Sequence, residues 1–308
     1  MLINCHLTRK FEVVPLVKAG ADIFYTEING ELIFGSSDGI YNRRPWKAAN
    51  FNSLSEFKET VRLVQKYNKK IYLTINSHFY SQDQINKIIT FISHQNKING
   101  YIVADIGLIL ALKKRFNDIF LIASTGAHIL NSKAIDFYLH LGVSEIIIPR
   151  HFHLAEIKEL IADYPKIKFH YFIKNQDCAN IDGLCSYLHR LPDSNEAESP
   201  CSLLCNFKIK SRNKLEPLSP VFKRLNNYGS IMFNECRACL ISELCKIGVS
   251  TVKIVGRDFA LRDKLKDVIF IKSCLKKTNL PQNIFKKRIQ KDYKLIYGKN
   301  CGMHCLYH

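Results

Sequence analysis

Several things are scarce or missing in this chain, and each absence narrows the reading. Carboxylates are few, with 27 Asp and Glu against 45 Lys and Arg, so the formal net charge is +18. That surplus suits a polyanionic partner such as RNA. It equally suits a lysine-rich composition, because the basic residues are dispersed along the chain. No apolar run reaches 18 residues, which argues against a membrane-spanning helix. Met1-Leu-Ile-Asn has no basic leader region, so a signal peptide is not expected and the cytoplasm is the expected compartment. No glycine-rich phosphate loop follows the first strand-like run, which disfavours a dinucleotide-binding open sheet. No Ser, His and Asp set stands out by spacing, and neither solenoid repeats nor low-complexity tracts occur. Cysteine is nearly absent from the first 177 residues, where only Cys5 occurs.

What is present begins where that scarcity ends. Cys178, Cys185, Cys201, Cys205, Cys236, Cys239 and Cys245 crowd into 68 residues, seven of the chain's eleven cysteines. Buried filler cysteine would be spread evenly. Thiols gathered at short spacings supply a soft metal centre, above all in a compartment where disulfides are rare. The remaining 47% hydrophobic and 23% charged composition is that of an ordinary globular protein with a sizeable core.

The first 175 residues alternate. Short β-rich runs fall at 2–7, 22–28, 70–77, 100–105, 119–125, 145–150 and 168–174, with helix-period stretches between them. Leu54, Phe57, Val61, Val64 and Tyr67 step by three and four, and Ser53 followed by Glu56 predicts a capping box. Ile85, Ile88, Ile89 and Ile92 form another amphipathic face, and 106–116, 132–141 and 154–164 give three more helices. Continuously apolar runs such as 101–103 and 146–148 suit strands covered on both faces. An eighth strand, 251–255, follows the cysteine segment and ends in Gly256-Arg257. Eight such units predict a TIM-like (β/α)8 barrel with a cysteine-rich insertion between strands 7 and 8. The division is then 1–175 with 251–272 for the barrel and 176–250 for the insertion. Residues 273–308 would form a basic helix and a cysteine-containing tail, and a short strand is expected at 268–271.

In such a barrel chemistry sits at the carboxyl ends of the strands. The polar residues placed there are Glu27, Asn76, His78, Asp105, Thr125, His128, Arg150, His151, Lys174 and Arg257. His78 or His128 alone reads most simply as a structural histidine. Arg150 and Arg257 end different strands and suit a shared anion site, or the capping of a nearby carboxylate or carbonyl. The cysteine segment leaves strand 7 through Asn175-Gln-Asp-Cys178, which would put its thiolates above the mouth. Residues 193–200 read as a solvated loop within it. Lys286, Lys287, Arg288, Lys291 and Lys294 make a concentrated basic face on a helix beginning at Pro281, and Cys301 and Cys305 close the chain as tail, lid or extra ligands. Cys236-x2-Cys239 with Cys201-x3-Cys205 would serve zinc, and four of the thiolates would serve an iron–sulfur cluster. Spacing leaves both open.

Specific motifs add a resemblance. Cys178-Ala-Asn-Ile-Asp-Gly183-Leu-Cys185 fits Cys-x4-Gly-x-Cys directly after a strand. Cys236 stands twelve residues before Gly248-Val, and Val252-Lys-Ile-Val-Gly-Arg257 follows. Upstream come Val103-Ala-Asp105, Ile122-Ala-Ser-Thr125 and Ile148-Pro-Arg150. In this order the motifs resemble the U32 peptidase family over residues 1–272. The resemblance implies a TIM-type barrel carrying a [4Fe–4S] cluster on Cys178, Cys185, Cys201 and Cys236, with Cys205, Cys239 and Cys245 as alternates. It implies oxygen-independent hydroxylases, some of ubiquinone biosynthesis and some acting on a base in ribosomal or transfer RNA, with prephenate as oxygen source. It also implies an aromatic or nucleobase substrate, Arg150 and Arg257 on a carboxylate cosubstrate, and a homologous chain as heterodimer partner. His128, Asp105 and Glu27 complete the candidate catalytic set. Where the family carries a glutamate, a glycine and a second glutamate, this chain has His170, Asn175 and Val255. Peptide hydrolysis, or a zinc-stabilised barrel binding RNA or protein, are the alternative functions.

Overall fold

The structure, a computed structural model, describes residues 1–35, 47–95, 97–175, 182–184, 236–257 and 259–301. Eight parallel strands close on themselves in sequence order. They are β1 (Leu2–His6), β2 (Ile23–Thr26), β3 (Lys70–Ile75), β4 (Gly100–Val103), β5 (Leu121–Ala123), β6 (Glu145–Ile147), β7 (Lys168–Lys174) and β8 (Thr251–Ile254). The seam closes in register, with Leu2 opposite Thr251 and Cys5 opposite Ile254. The predicted barrel is therefore the observed one.

Helices ring the wall in the order that right-handed crossovers require. They are α1 (Val13–Ala19), a short α2 (Glu31–Phe34), α3 (Leu54–Lys66), α4 (Gln82–Ser93), α5 (Ile106–Arg115), α6 (Ser132–His140), α7 (Leu154–Asp163), α8 (Ile241–Ile247), α9 (Leu261–Leu275) and α10 (Gln282–Tyr297). Two of the caps are instructive. The Ser53 hydroxyl accepts from Glu56 N, but Glu56 does not reach back; its carboxylate accepts from Lys10 N at 3.1 Å instead. Only half of the predicted box forms there, because the neighbouring turn offers a competing donor. At Ser81 both halves form, with Gln84 as the reciprocal partner.

The strand expected at 268–271 is instead the middle of α9. Its β-branched residues suggested a strand, yet Lys264, Asp267, Val268, Ile271 and Cys274 recur at steps of three and four and are all buried. Helical burial against the wall and α10 decides the state over local propensity. Phe270 meets the rings of Tyr293 and Tyr297 edge-on at 5.4 and 5.6 Å, which docks α10 on α9.

The core has two parts. Between wall and helices lies one continuous apolar layer that includes Phe24, Phe57, Ile71, Val103, Leu121, Phe169 and Val252. Inside the barrel, Ile23, Tyr25, Tyr72, Ile102, Ile122 and Ile147 form a separate plug. These inward positions alternate with the outward ones along each strand, as the two-residue period requires. Below the plug, His170 Nε2 and Glu145 Oε2 pair at 2.7 Å, with Lys168 Nζ 3.8 Å from the other Glu145 oxygen. His170 stands where the family resemblance expects a glutamate, and Glu145, one strand away, supplies the carboxylate.

Candidate active site at the barrel mouth

Above the plug the inward residues turn polar and positively charged. Glu27, just past β2, is fully buried and shared by two partners. His6, the last residue of β1, lies with Nε2 2.7 Å from Glu27 Oε2, and Arg257 places Nη2 2.8 Å from Oε1. Burial works against the Glu27 charge, but the Arg257 guanidinium, His6 and Lys253 hold its carboxyl down at about 2. Burial pushes His6 down to about 4 in spite of Glu27, so the imidazole is neutral and donates through Nε2. Its Nδ1, and Arg257 Nη1, have no hydrogen-bond partner among the described residues.

Lys253 completes this group. It points inward from β8, two strand positions short of Val255, and only 4% of its surface is exposed. Its Nζ sits 3.7 Å from the centre of the Tyr25 ring and 5.7 Å from that of Phe172, with no hydrogen bond or ion pair among the described residues. Burial, and then the nearby Arg257 and Arg150 charges, push it down to about 7, with Glu27 opposing. The Tyr25 hydroxyl donates to Ile254 O at 3.2 Å, which fixes the ring beneath the amine. Arg257 lies over the same ring at 5.8 Å.

The opposite rim carries Arg150. Its Nε donates to Asp182 Oδ2 at 3.0 Å and its guanidinium stacks 4.6 Å from the Phe172 ring. Asp182 and Gly183 belong to the Cys178-x4-Gly-x-Cys185 motif, so this part of the cysteine segment docks on the mouth. Gly183 is needed there: a Cβ would come within 2.8 Å of the His128 ring. His128 itself takes a left-handed φ of 56° and faces the His78 ring at 5.4 Å. Asn76 donates to the Ser124 hydroxyl at 3.1 Å on the same side of the mouth. Asp105, by contrast, accepts from Leu108 N at 2.6 Å as the N-cap of α5.

Cys236 returns to the rim, pairing as an antiparallel bridge with Lys174 at the end of β7 and buried there. Arg237 follows, donating from Nη1 to Arg150 O at 2.6 Å and also to the Tyr171 hydroxyl. Cys239 is buried in the next turn, and Cys245 is half-buried on α8, where burial raises its thiol. Cys274, fully buried on α9, is raised chiefly by burial and next by the charge of Cys236. Cys178, Cys185, Cys201, Cys205 and Cys305, and the loop expected at 193–200, lie outside the described residues. Among the described residues no three His, Cys, Asp or Glu side chains gather as a metal site.

The root of the cysteine segment is tied down firmly. Asn175 takes φ 66°, the left-handed conformation that asparagine tolerates best after glycine. That accounts for asparagine standing where the resemblance expects glycine. Its amide donates to Val255 O at 2.8 Å and Asp267 Oδ2 at 2.6 Å. Lys174 Nζ lies 3.5 Å from Asp267 Oδ1, which also accepts from the Tyr297 hydroxyl at 2.6 Å. The end of β7 is thereby bonded through α9 to the last turn of α10.

Of the sequence-derived candidates, Glu27 and Arg257 are joined, Arg150 stands across the Phe172 ring, His128 supports the motif glycine, and Asp105 caps a helix. His6, Lys253, Tyr25 and Asp182 were not singled out. Lys253 had a signal: a single cation inside the apolar run Thr251-Val-Lys-Ile-Val, in phase with Arg257.

The model of peptidase family U32 matches residues 11–297. A relative from Escherichia coli K12, a 23S rRNA 5-hydroxycytidine synthase, is 24% identical over 248 residues, covering 79% of this chain and 36% of the relative. A tRNA hydroxylation protein P from Helicobacter pylori J99 is 26% identical over 217 residues, covering 67% of this chain and 50% of the relative. The chain thus spans half or less of the length of these relatives. The solved U32 peptidase Mk0906 shares the fold at a TM-score of 0.51 and 10% identity, covering 83% of this chain and 93% of that one. No helix among the described residues is long and apolar enough to cross a membrane.

Proposed function

This chain belongs to peptidase family U32, and we propose that it is a cytoplasmic RNA-modifying enzyme that hydroxylates a nucleobase with the help of a carboxylate-bearing cosubstrate. Two curated relatives act on ribosomal or transfer RNA by their names. The observation that carries the reading for this chain is the charge arrangement of the mouth. Two cations, Arg257 and Lys253, share one aromatic ring, but Glu27 engages only one of them directly. A buried cation without a counter-charge is costly and is relieved by an anion. Arg257 Nη1 has a donor to give, and a guanidinium recognises a carboxylate along its edge. Arg150 across the Phe172 ring supplies a second positive wall. Phe172 and Tyr25 offer faces against which an unsaturated or aromatic ring stacks. The +18 charge serves the RNA partner.

A [4Fe–4S] cluster on Cys178, Cys185, Cys201 and Cys236 is part of this reading. The described ends of the ligand-bearing segment support it: Asp182 and Gly183 dock on Arg150 and His128, and Cys236 is pinned at Lys174, all on the rim. The donors are thiols, the soft ligands an iron–sulfur cluster takes, and Arg150, Arg237 and Lys174 offset their charge. When bound, such a cluster supplies one-electron transfer beside the substrate. The chain's own residues bind and orient: Arg257 takes the carboxylate, Lys253 lies beside it over the Tyr25 ring, Glu27 and neutral His6 hold Arg257 in place, and Phe172 stands between Arg257 and Arg150.

Anaerobic purification followed by iron, sulfide and zinc assay with EPR tests the cofactor. About four irons per chain support it, and zinc without iron removes it. The activity is tested by deleting the gene and digesting total rRNA and tRNA to nucleosides for mass spectrometry. Loss of one hydroxylated nucleoside, restored by the intact chain but not by Arg257→Ala, is expected. An unchanged nucleoside profile overturns the reading.

A further inference from the structure

We propose that Lys253 is a covalent capture residue, forming an imine with the carbonyl carbon of a 2-oxo carboxylate whose carboxylate rests on Arg257. This rests on the reading of the mouth as a carboxylate site and goes beyond it by naming the second functional group that the ligand must carry. The placement of the amine is unlike that of an ion-pairing lysine. Every other buried lysine among the described residues has an oxygen partner: Lys174 is held by Asn175 and Asp267, and Lys264 by Thr8 and Glu12 at 2.8 Å. Lys253 Nζ has the face of Tyr25 on one side, Phe172 farther off, and no oxygen among the described residues within bonding distance.

The Tyr25 ring favours the ammonium form, but enclosure together with Arg257 and Arg150 outweighs it and brings the amine near neutrality at physiological pH. An apolar-flanked amine that is partly uncharged at neutral pH, beside a second cation, is the arrangement that makes lysine a nucleophile toward carbonyls. Lys253 lies on β8 and Arg257 three residues past its end, over the same ring, so one short molecule can meet both.

The step balances without a redox partner. The Lys253 lone pair forms the N–C bond as the carbonyl π bond breaks onto oxygen. Both protons of the amine pass to that oxygen through solvent at the open mouth, and it leaves as water. The C=N bond forms, and hydrolysis reverses the sequence. Glu27 is bonded to His6 and Arg257 rather than to the Lys253 amine.

The test uses the full chain purified anaerobically and phenylpyruvate, a 2-oxo carboxylate with an aromatic ring. Sodium cyanoborohydride reduces any imine to a stable amine, and peptide mass spectrometry locates it. One adduct per chain, on Lys253, is expected. Its yield should fall when phenyllactate is present, since that compound keeps the ring and carboxylate but has no ketone. The labelling rate should climb as pH rises through about 7. Lys253→Arg and Lys253→Met should both lose the adduct while retaining the parent's thermal melting profile. Should both variants fail to fold, the location of the adduct in the parent decides alone. Adducts scattered over surface lysines overturn the inference, as does no adduct. If no adduct forms but calorimetry shows phenyllactate binding, the amine is only a charge partner and the carboxylate reading stands. If phenyllactate does not bind either, both readings fall.

Discussion

Two histidine–glutamate pairs are buried in this barrel, one at each end, and each closes at 2.7 Å between Nε2 and a carboxylate oxygen. At the lower end, His170 and Glu145 face Lys168, whose side chain is 65% exposed. Water reaches that edge and screens it. At the mouth, His6 and Glu27 face Arg257 and Lys253, both enclosed. The same two side chains therefore do different work. Below, the pair satisfies itself and finishes the floor. Above, it anchors one cation and leaves another without a carboxylate. Basic groups gathered at a barrel mouth without matching carboxylates are what a binding site retains and a floor does not.

Breaking the upper pair should cost most. Arg257→Ala strands the Glu27 charge in the interior, and a loss of about 3–5 kcal/mol in denaturant unfolding is expected, together with loss of the hydroxylated nucleoside. Glu145→Gln below should cost about 1–2 kcal/mol, since glutamine still accepts from His170, and should leave the nucleoside profile unchanged. Equal costs, or equal loss of activity, would erase the distinction between the two ends.

Acid titration of stability sharpens it further. Between pH 6.5 and about 4 the unfolded chain binds a proton at His6 that the folded chain refuses. Between 4.5 and about 2 the same holds for Glu27. Stability should therefore decline as pH falls through both windows. His6→Gln, which can still donate to Glu27, should make the upper window shallower, leaving the share of buried His170, whose imidazole is also pushed down, and should leave the lower one; an unaltered upper slope would refute the assignment.

The smallest effect belongs to a rim carboxylate outside both pairs. Asp105→Ala removes the α5 cap for about 1 kcal/mol, while Asp105→Asn, which caps as well, should be neutral in stability and in nucleoside content. A loss of the hydroxylated nucleoside in a stable Asp105→Asn variant would return Asp105 to the chemistry.

The barrel was legible because each β–α unit repeats the same two periods, and the strand ends then gave Glu27, Arg150 and Arg257. What the residues do with one another was less legible. Glu27 and Arg257 are 230 positions apart, and only the closure of β1 on β8 brings them together. Asp105 looked catalytic from its place at a strand end, but a strand end is also a helix start, and the cap took it. The 268–271 run read as a strand because its β-branched residues were weighed without the buried positions on either side. Lys253 was hidden by its setting: within Lys-Ile-Val-Gly-Arg it looked like part of a motif rather than a charge placed inside a wall. Its enclosure, which makes it chemically distinctive, exists only once eight strands have closed.

The bonds from Asn175 and Lys174 to Asp267, and from Asp267 to the Tyr297 hydroxyl, have a mechanical consequence. The last turn of α10 works as a splint on the root from which the thiol-bearing loop departs. Trimming the chain before Tyr297, or forcing that turn apart with a bulky carboxyl-terminal fusion, should loosen a site that lies more than a hundred residues away in sequence.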